Sequence, residues 1–251
     1  MRKGLIYSAA LVLVASSPRA GAHVQAQSPM TTAIAPKVPA PITPPKGTVP
    51  EGFTALFNGQ DLSGWHVSRT NHHGTTPEYR VVHGMIVGTQ SPFGQGGILL
   101  TDKKYKNVEL YMEVKPDYGC DSGLFFRSSE AGNAYQVTMD YLPGGSIGGI
   151  YGEGLEGVDG RRAAPAAPWT KAWKREDWNQ VRVRIAGDVP HITVWINDQQ
   201  VTDFTDTANH AKDGITEGAI AIQVHGGDRW VPGGFWRWRT IAVKELPADA
   251  K

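Results

Sequence analysis

Apolar and polar residues alternate one by one through much of the chain. In residues 108–114 (VELYMEV) Leu110 and Met112 fall on one face, with Glu109, Tyr111 and Glu113 on the other. Residues 135–140 (YQVTMD) set Val137 and Met139 against Gln136, Thr138 and Asp140. Residues 219–225 (AIAIQVH) set Ile220, Ile222 and Val224 against Gln223 and His225, and residues 181–185 and 191–197 repeat the pattern. A period of two is the signature of half-buried strands. Only residues 169–177 carry the spacing of a short surface helix. Residues 197–200 (NDQQ) predict a hairpin turn between strands at 191–196 and 200–204. Strand after strand with tight turns, and no repeat of 20–50 residues, predicts an all-β sandwich of two antiparallel sheets.

The first fifty residues follow a different rule. Arg2 and Lys3 precede an apolar run from Leu5 to Ala15, and Ala20-Gly21-Ala22 or Val24-Gln25-Ala26 offers a small-residue cleavage site. This reads as a signal peptide over residues 1–22, too short to span a bilayer, and predicts a periplasmic or secreted protein with no transmembrane segment. Residues 23–50 read as a linker, because seven prolines between positions 28 and 50 favour extended chain over a buried core. The folded domain is expected at 51–248.

Composition narrows the chemistry. Twenty-five basic and 24 acidic residues give a net charge of +1, so there is no strong field to attract nucleic acid. The single cysteine, Cys120, excludes an intrachain disulfide and a cysteine-rich metal site. Thirty glycines and 17 prolines in 251 residues suit turns rather than long helices. The polar faces carry Gln, Asp, His, Tyr and Arg, which suit hydrogen bonding to a polyhydroxylated ligand.

Seven ordered motifs then point to one family. Residues 52–65 (GFTALFNGQDLSGW) are followed by 79–88 (YRVVHGMIVG), 121–127 (DSGLFFR), 134–140 (AYQVTMD), 178–179 (WN), 222–226 (IQVHG) and 236–246. Together they resemble the 3-keto-disaccharide hydrolase domain family across about residues 51–247. Tyr79, Asp121 and Gln136 depart from that family's Trp, Asn and Glu. The resemblance implies a jelly roll of the concanavalin A-like lectin and glucanase type, with the ligand site on the concave sheet and the Gly-rich stretch 144–151 as a loop walling the cleft. It also implies cleavage of small-molecule 3-keto-glycosides. The C3 ketone acidifies the C2 hydrogen, a base removes that proton, the C1 substituent is eliminated, and water adds back.

That route needs a base, an acid and donors facing the enolate oxygen. On the resemblance and the strand faces, Asp140, His225 and Glu113 are the catalytic candidates. Arg127, Gln136, Thr138, Tyr151, Gln223 and Trp230 are the candidates for substrate binding, with Trp230 as a platform for a sugar ring. Glu109 and Glu113, about 13 Å apart along one strand, are poorly spaced for an ordinary glycosidase pair. Asn71-His72-His73 with His83 raises a metal reading, but adjacent histidines on a strand point apart and no acidic residue sits at ligand spacing. The sequence identifies no cofactor, and a divalent metal of the Ca or Mn class stays open, as does the oligomeric state. The alternative function on the same fold is a non-catalytic carbohydrate-binding module.

Overall fold

The alternating segments become fifteen strands arranged in two antiparallel sheets in a computed structural model, which describes residues 47–158, 162–164 and 168–251. The expected signal peptide and nearly all of the linker lie outside the described residues. Among those described, no helix is long and apolar enough to cross a membrane.

One sheet runs β13 (Gln199–Thr205), β12 (His191–Ile196), β11 (Asn179–Ala186), β6 (Val108–Pro116), β15 (Trp236–Glu245), β4 (Met85–Thr89) and β3 (Glu78–Val82), with β1 (Thr54–Ala55) also on β15. The other runs β10 (Arg162–Ala164), β9 (Ile147–Glu153), β8 (Ala134–Met139), β7 (Gly123–Ser128), β14 (Gly218–Val224), β5 (Gly97–Tyr105) and β2 (Trp65–Val67). Between them lies the main core. Leu110, Met112, Val181 and Val183 come from the first sheet, and Leu124, Phe126, Val137, Met139, Ile220 and Ile222 from the second. Each such side chain contributes roughly 1.5–3 kcal/mol when fully buried.

The two sheets use the period of two differently. On β6 burial alternates at every residue, as expected of a sheet with one solvated face. On β7, β8 and β14 every residue is buried. The outer face of this second sheet carries its own apolar patch, including Ile98, Leu100, Phe125 and Ala221. The segment before β3 is tied down nearby: Ser68 Oγ donates to the Glu130 carbonyl at 2.7 Å and Asn71 Nδ2 to that of Ala131 at 2.9 Å. Alternation reveals which residues share a face, but not whether that face meets water.

The hairpin forms as expected, with Asn197 and Asp198 both at positive φ (48° and 63°) and β13 starting at Gln199. Both signs match a two-residue turn compatible with strand twist. The helix is much shorter than its spacing suggests. It spans only Trp169–Ala172, without a side-chain cap, and Trp173 is already extended. A single uncapped turn gains too little to propagate. The stretch at 144–151 is not a loop through its length, because β9 begins at Ile147 and pairs with β8.

Three expected site residues belong to the framework instead. Glu113 lies on β6, in the sheet opposite the site, where its Oε2 accepts from Arg239 Nε at 3.1 Å and Thr240 Oγ1 at 2.7 Å. Arg127 adopts φ 51° at the end of β7 and is 1% exposed. Its guanidinium donates to the carbonyl of Gly187, and to that of Asp188 at 3.0 Å. Those carbonyls follow β11, so Arg127 ties the sheets together rather than binding ligand. Trp230 is 3% exposed, belongs to the main core and donates through Nε1 to the Gly234 carbonyl. Its ring is unavailable for stacking on a sugar.

Candidate active site

A cavity of about 260 Å³ lies over β8 and β9, lined by His72, His73, Asp121, Ser122, Gln136, Thr138, Asp140, Tyr151, Glu153 and His225. Small-molecule sites typically enclose roughly 300–1,000 Å³, so this one suits a ligand about the size of a sugar ring. The strand register builds its floor. Gln136 stands opposite Tyr151 on β9, and Thr138 opposite Gly123 on β7. A Cβ at Gly123 would lie 2.1 Å from Gln136 Nε2 and 2.9 Å from Gln223 Oε1. Glycine there is a requirement of close packing: any side chain would displace the two amides.

Gln136 Nε2 donates weakly to Gln223 Oε1 at 3.4 Å. Gln223 is fully buried beneath the lining, and its Nε2 has no hydrogen-bond partner among the described residues. Thr138 Oγ1 is 2.9 Å from Ser146 Oγ. Of the residues expected from sequence, Asp140, His225, Gln136, Thr138 and Tyr151 therefore share one cavity, with Gln223 just behind it.

Two carboxylates and a guanidinium come together at one wall. Arg229 donates through Nε to Asp121 Oδ2 at 3.1 Å and through Nη2 to Asp140 Oδ2 at 2.5 Å. Burial pushes the Asp121 carboxyl up from its ordinary 3.8 to about 7, and the charge of Asp140 adds to this, while Arg229 opposes it. Asp140 also accepts the Leu142 backbone N–H at 3.0 Å, so one of its oxygens shapes a turn and the other holds Arg229.

His225 completes that wall. Its Nδ1 lies 2.6 Å from the Gly226 carbonyl, which can only accept, so Nδ1 carries the hydrogen. In the neutral ring Nε2 then keeps its lone pair, and it stands 3.7 Å from Asp121 Oδ2. Burial, foremost, holds the imidazole below its usual pKa, and the nearby Arg229 charge acts the same way. The peptide is held from beneath: Gln90 Nε2 donates to the carbonyls of His225 (2.7 Å) and Gly227 (2.9 Å).

Two more imidazoles continue from His225, each tilted against the next. His73 lies 4.4 Å from it and His72 4.0 Å from His73, measured between ring centroids. Burial, then the neighbouring His225 and His72, lower the His73 pKa to about 3. His83 is elsewhere, in the turn between β3 and β4.

This cavity sits within a stretch of chain that has known counterparts. Residues 52–244 match the model of the 3-keto-alpha-glucoside-1,2-lyase-like domain. The chain belongs to that family. The family's carbohydrate-hydrolase-like character agrees with a relative from Bacteroides thetaiotaomicron, a 3-keto-disaccharide hydrolase 24% identical over 237 residues, covering 78% of this chain and 79% of its own. A Parabacteroides distasonis protein provisionally classed as a glycosyl hydrolase superposes with a TM-score of 0.54 at 20% identity, covering 77% of this chain and 99% of that one. The exoplasmic/lumenal domain of VIP36, solved with Ca²⁺ and Man3GlcNAc, gives 0.53 at 11% identity, covering 80% and 93%. At these identities the superpositions show the shared lectin-like sandwich alone.

For this member of the 3-keto-alpha-glucoside-1,2-lyase-like family, sequence reasoning misses Asp121, Arg229 and Glu153 and misplaces His72 and His73. Asp121 leaves a signal, being a carboxylate where the family motif carries an amide. Arg229 leaves none, since it lies in a Gly-rich loop 108 positions from the Asp121 it binds. His72 and His73 read from sequence as strand residues pointing apart, whereas they occupy a turn. Glu153 ends β9, two residues beyond the stretch 144–151 expected to be a loop.

Proposed function

We propose that this protein is an exported enzyme that cleaves 3-keto-glycosides by elimination, with His225 as base and Asp121 as acid. The observation that carries this reading is the 3.7 Å approach of His225 Nε2, which keeps its lone pair, to a buried carboxyl whose pKa is pushed up to about 7. Family membership and the carbohydrate-hydrolase relative support the substrate class.

In this mechanism Nε2 of His225 takes the C2 proton, and its electron pair forms the C2–C3 enolate. Collapse of the enolate restores the C3 ketone, forms a C1–C2 double bond and expels the C1 oxygen. Asp121, which holds its proton below about pH 7, gives it to that leaving oxygen. Addition of water across the double bond then yields the 3-keto sugar. Gln136, Thr138 and Tyr151 supply donors for the ring hydroxyls and the enolate oxygen. Asp140 has a supporting role, holding Arg229 against Asp121.

The reading has a direct assay. Aglycone release is expected from a 3-keto-glucoside and not from the parent glucoside, which lacks an acidified C2 hydrogen. Equal release from both would overturn the elimination route. Binding of the sugar without release from either would favour the binding-module alternative, to which Gln136 in place of the family's Glu also inclines.

The acid assignment predicts a pH profile. A raised carboxyl pKa means that the proton is present below about pH 7 and lost above it, so kcat/KM should fall as pH rises through 7. Asp121→Asn cannot lose a proton, and should show a lower rate without that alkaline decline. An unchanged alkaline limb in the variant would remove Asp121 from the acid role.

A further inference from the structure

Both neighbours of β14 bulge at the same level. The two positions from Ala219 to Ala221 are matched by four on β5, from Lys104 to Leu100, and by three on β7, from Ser128 to Phe125. Extra residues bend a strand out of the regular pleat and re-aim its side chains. Here Thr101 makes good the lost ladder bond, its Oγ1 accepting the Ile220 N–H at 3.0 Å. Beneath the two bulges β14 carries only Gly218 and Ala219, so no large side chain fills the gap. A second cavity of about 380 Å³ opens there.

Its lining shares no residue with the cavity that holds His225 and Asp121. Ala219 and His225 are six positions apart along the chain, about 20 Å at roughly 3.3 Å per residue. We infer that this second cavity is a separate binding site for a neutral saccharide.

The floor is apolar: Leu100 and Ala219 are buried in the outer patch of the sheet, and half-buried Ile215 stands beside them. At the wall His66 bridges two carboxylates, with Nδ1 2.6 Å from Asp102 Oδ1 and Nε2 3.0 Å from Glu130 Oε2. Both ring nitrogens face acceptors, so both carry hydrogen and the ring is an imidazolium. Hydrogen bonding to Glu130, foremost, and to Asp102 raises its pKa, while burial opposes this. Glu130 Oε1 accepts the Arg69 backbone N–H at 3.2 Å, which fixes the carboxylate further. Each ionised carboxylate has about four lone-pair sites, so both keep acceptors for a ligand.

The charges of the lining select a neutral ligand. His66, Lys104 and Lys212 balance Asp102, Glu130 and Asp213. No imidazole lone pair is left for a metal ion, and three carboxylates repel an anion. A sugar ring satisfies both surfaces: its C–H groups cover the apolar floor, and its hydroxyls meet carboxylate acceptors and ammonium donors, whose hydrogen bonds are of the stronger, charge-assisted kind. The site stands independently of the proposed 3-keto reaction.

The test follows the backbone amides of the full chain by NMR during titration with glucose, maltose and cellobiose, with inorganic phosphate as the charged comparison. At least one sugar should shift the amides of residues 100–104, 128–130 and 212–219 saturably, and phosphate should not. Asp102→Ala and Lys104→Ala, both at exposed positions, should each weaken that binding at least about fivefold, one hydrogen bond being worth about two- to tenfold net. Ala219→Leu, which fills the floor, should abolish it; if that variant fails to fold by circular dichroism, the two exposed variants decide. His225→Gln should leave these shifts in place. The site is overturned if none of the three sugars shifts this set, if phosphate binds in their place, or if affinity is untouched by both Asp102→Ala and Lys104→Ala. Sugar bound here by protein that releases no aglycone from a 3-keto-glucoside upholds the site and overturns the proposed reaction.

Discussion

His225→Gln is expected to lower the rate of aglycone release from a 3-keto-glucoside by about 10²–10⁴-fold, the usual worth of a positioned general base. Glutamine preserves a polar side chain of similar reach, but its amide is no base at neutral pH. The Gly226 carbonyl keeps a donor in range, and the peptide at position 225 keeps its bond from Gln90. The loss should therefore fall on kcat, with KM and the unfolding midpoint little moved. A variant within threefold of wild-type kcat would remove His225 from the proton transfer. A large rise in KM at unchanged kcat would make it a binding residue instead.

Trp236→Ala is expected to be among the most destabilising single changes, at about 3–5 kcal/mol for loss of a large buried aromatic. Trp236 is fully buried on β15, stacks on Trp238 at 5.8 Å, and approaches Tyr141 at 6.5 Å. Its Nε1 donates to the Cys120 carbonyl at 2.9 Å, one residue before Asp121. Tyr141, one residue after Asp140, itself accepts the Cys120 N–H at 3.2 Å. The indole thus supports from the core both backbone segments that present the carboxylates. Denaturant unfolding should show the midpoint falling sharply. Trp236→Phe, which keeps an aromatic ring but loses the hydrogen bond, should fall between Trp236→Ala and wild type. A cost below about 1 kcal/mol for Trp236→Ala would contradict so close a packing of the indole.

Much of this architecture is legible because strand periodicity is local. The inward sets Leu110 and Met112, Val137 and Met139, and Ile220, Ile222 and Val224 all enter the main core, since side-chain direction along a strand needs only the period of two. The same pattern puts Gln136, Thr138 and His225 on the opposite side, where the cavity opens. It cannot tell the two sheets apart. Glu113 alternates as cleanly as Gln136, yet its face belongs to the other sheet and is filled by Arg239 and Thr240. Arg127 shows a second limit. At φ 51° it leaves the regular pleat, so alternation no longer says where its guanidinium goes.

By itself, the sequence determined the class of fold, the order of its motifs, the family they resemble and the strand faces available to a ligand. These follow from backbone geometry and hydrophobic burial, which act over a few neighbouring residues. Tertiary structure alone decided the chemistry of the site. Asp121 meets Arg229 across 108 positions, His225 meets Asp121, and two histidines of one turn meet Glu153 at the end of a distant strand. The shifts of Asp121 and His225 depend on burial and on distances of about 3–4 Å, quantities set only when remote segments pack together. No spacing along the chain encodes them.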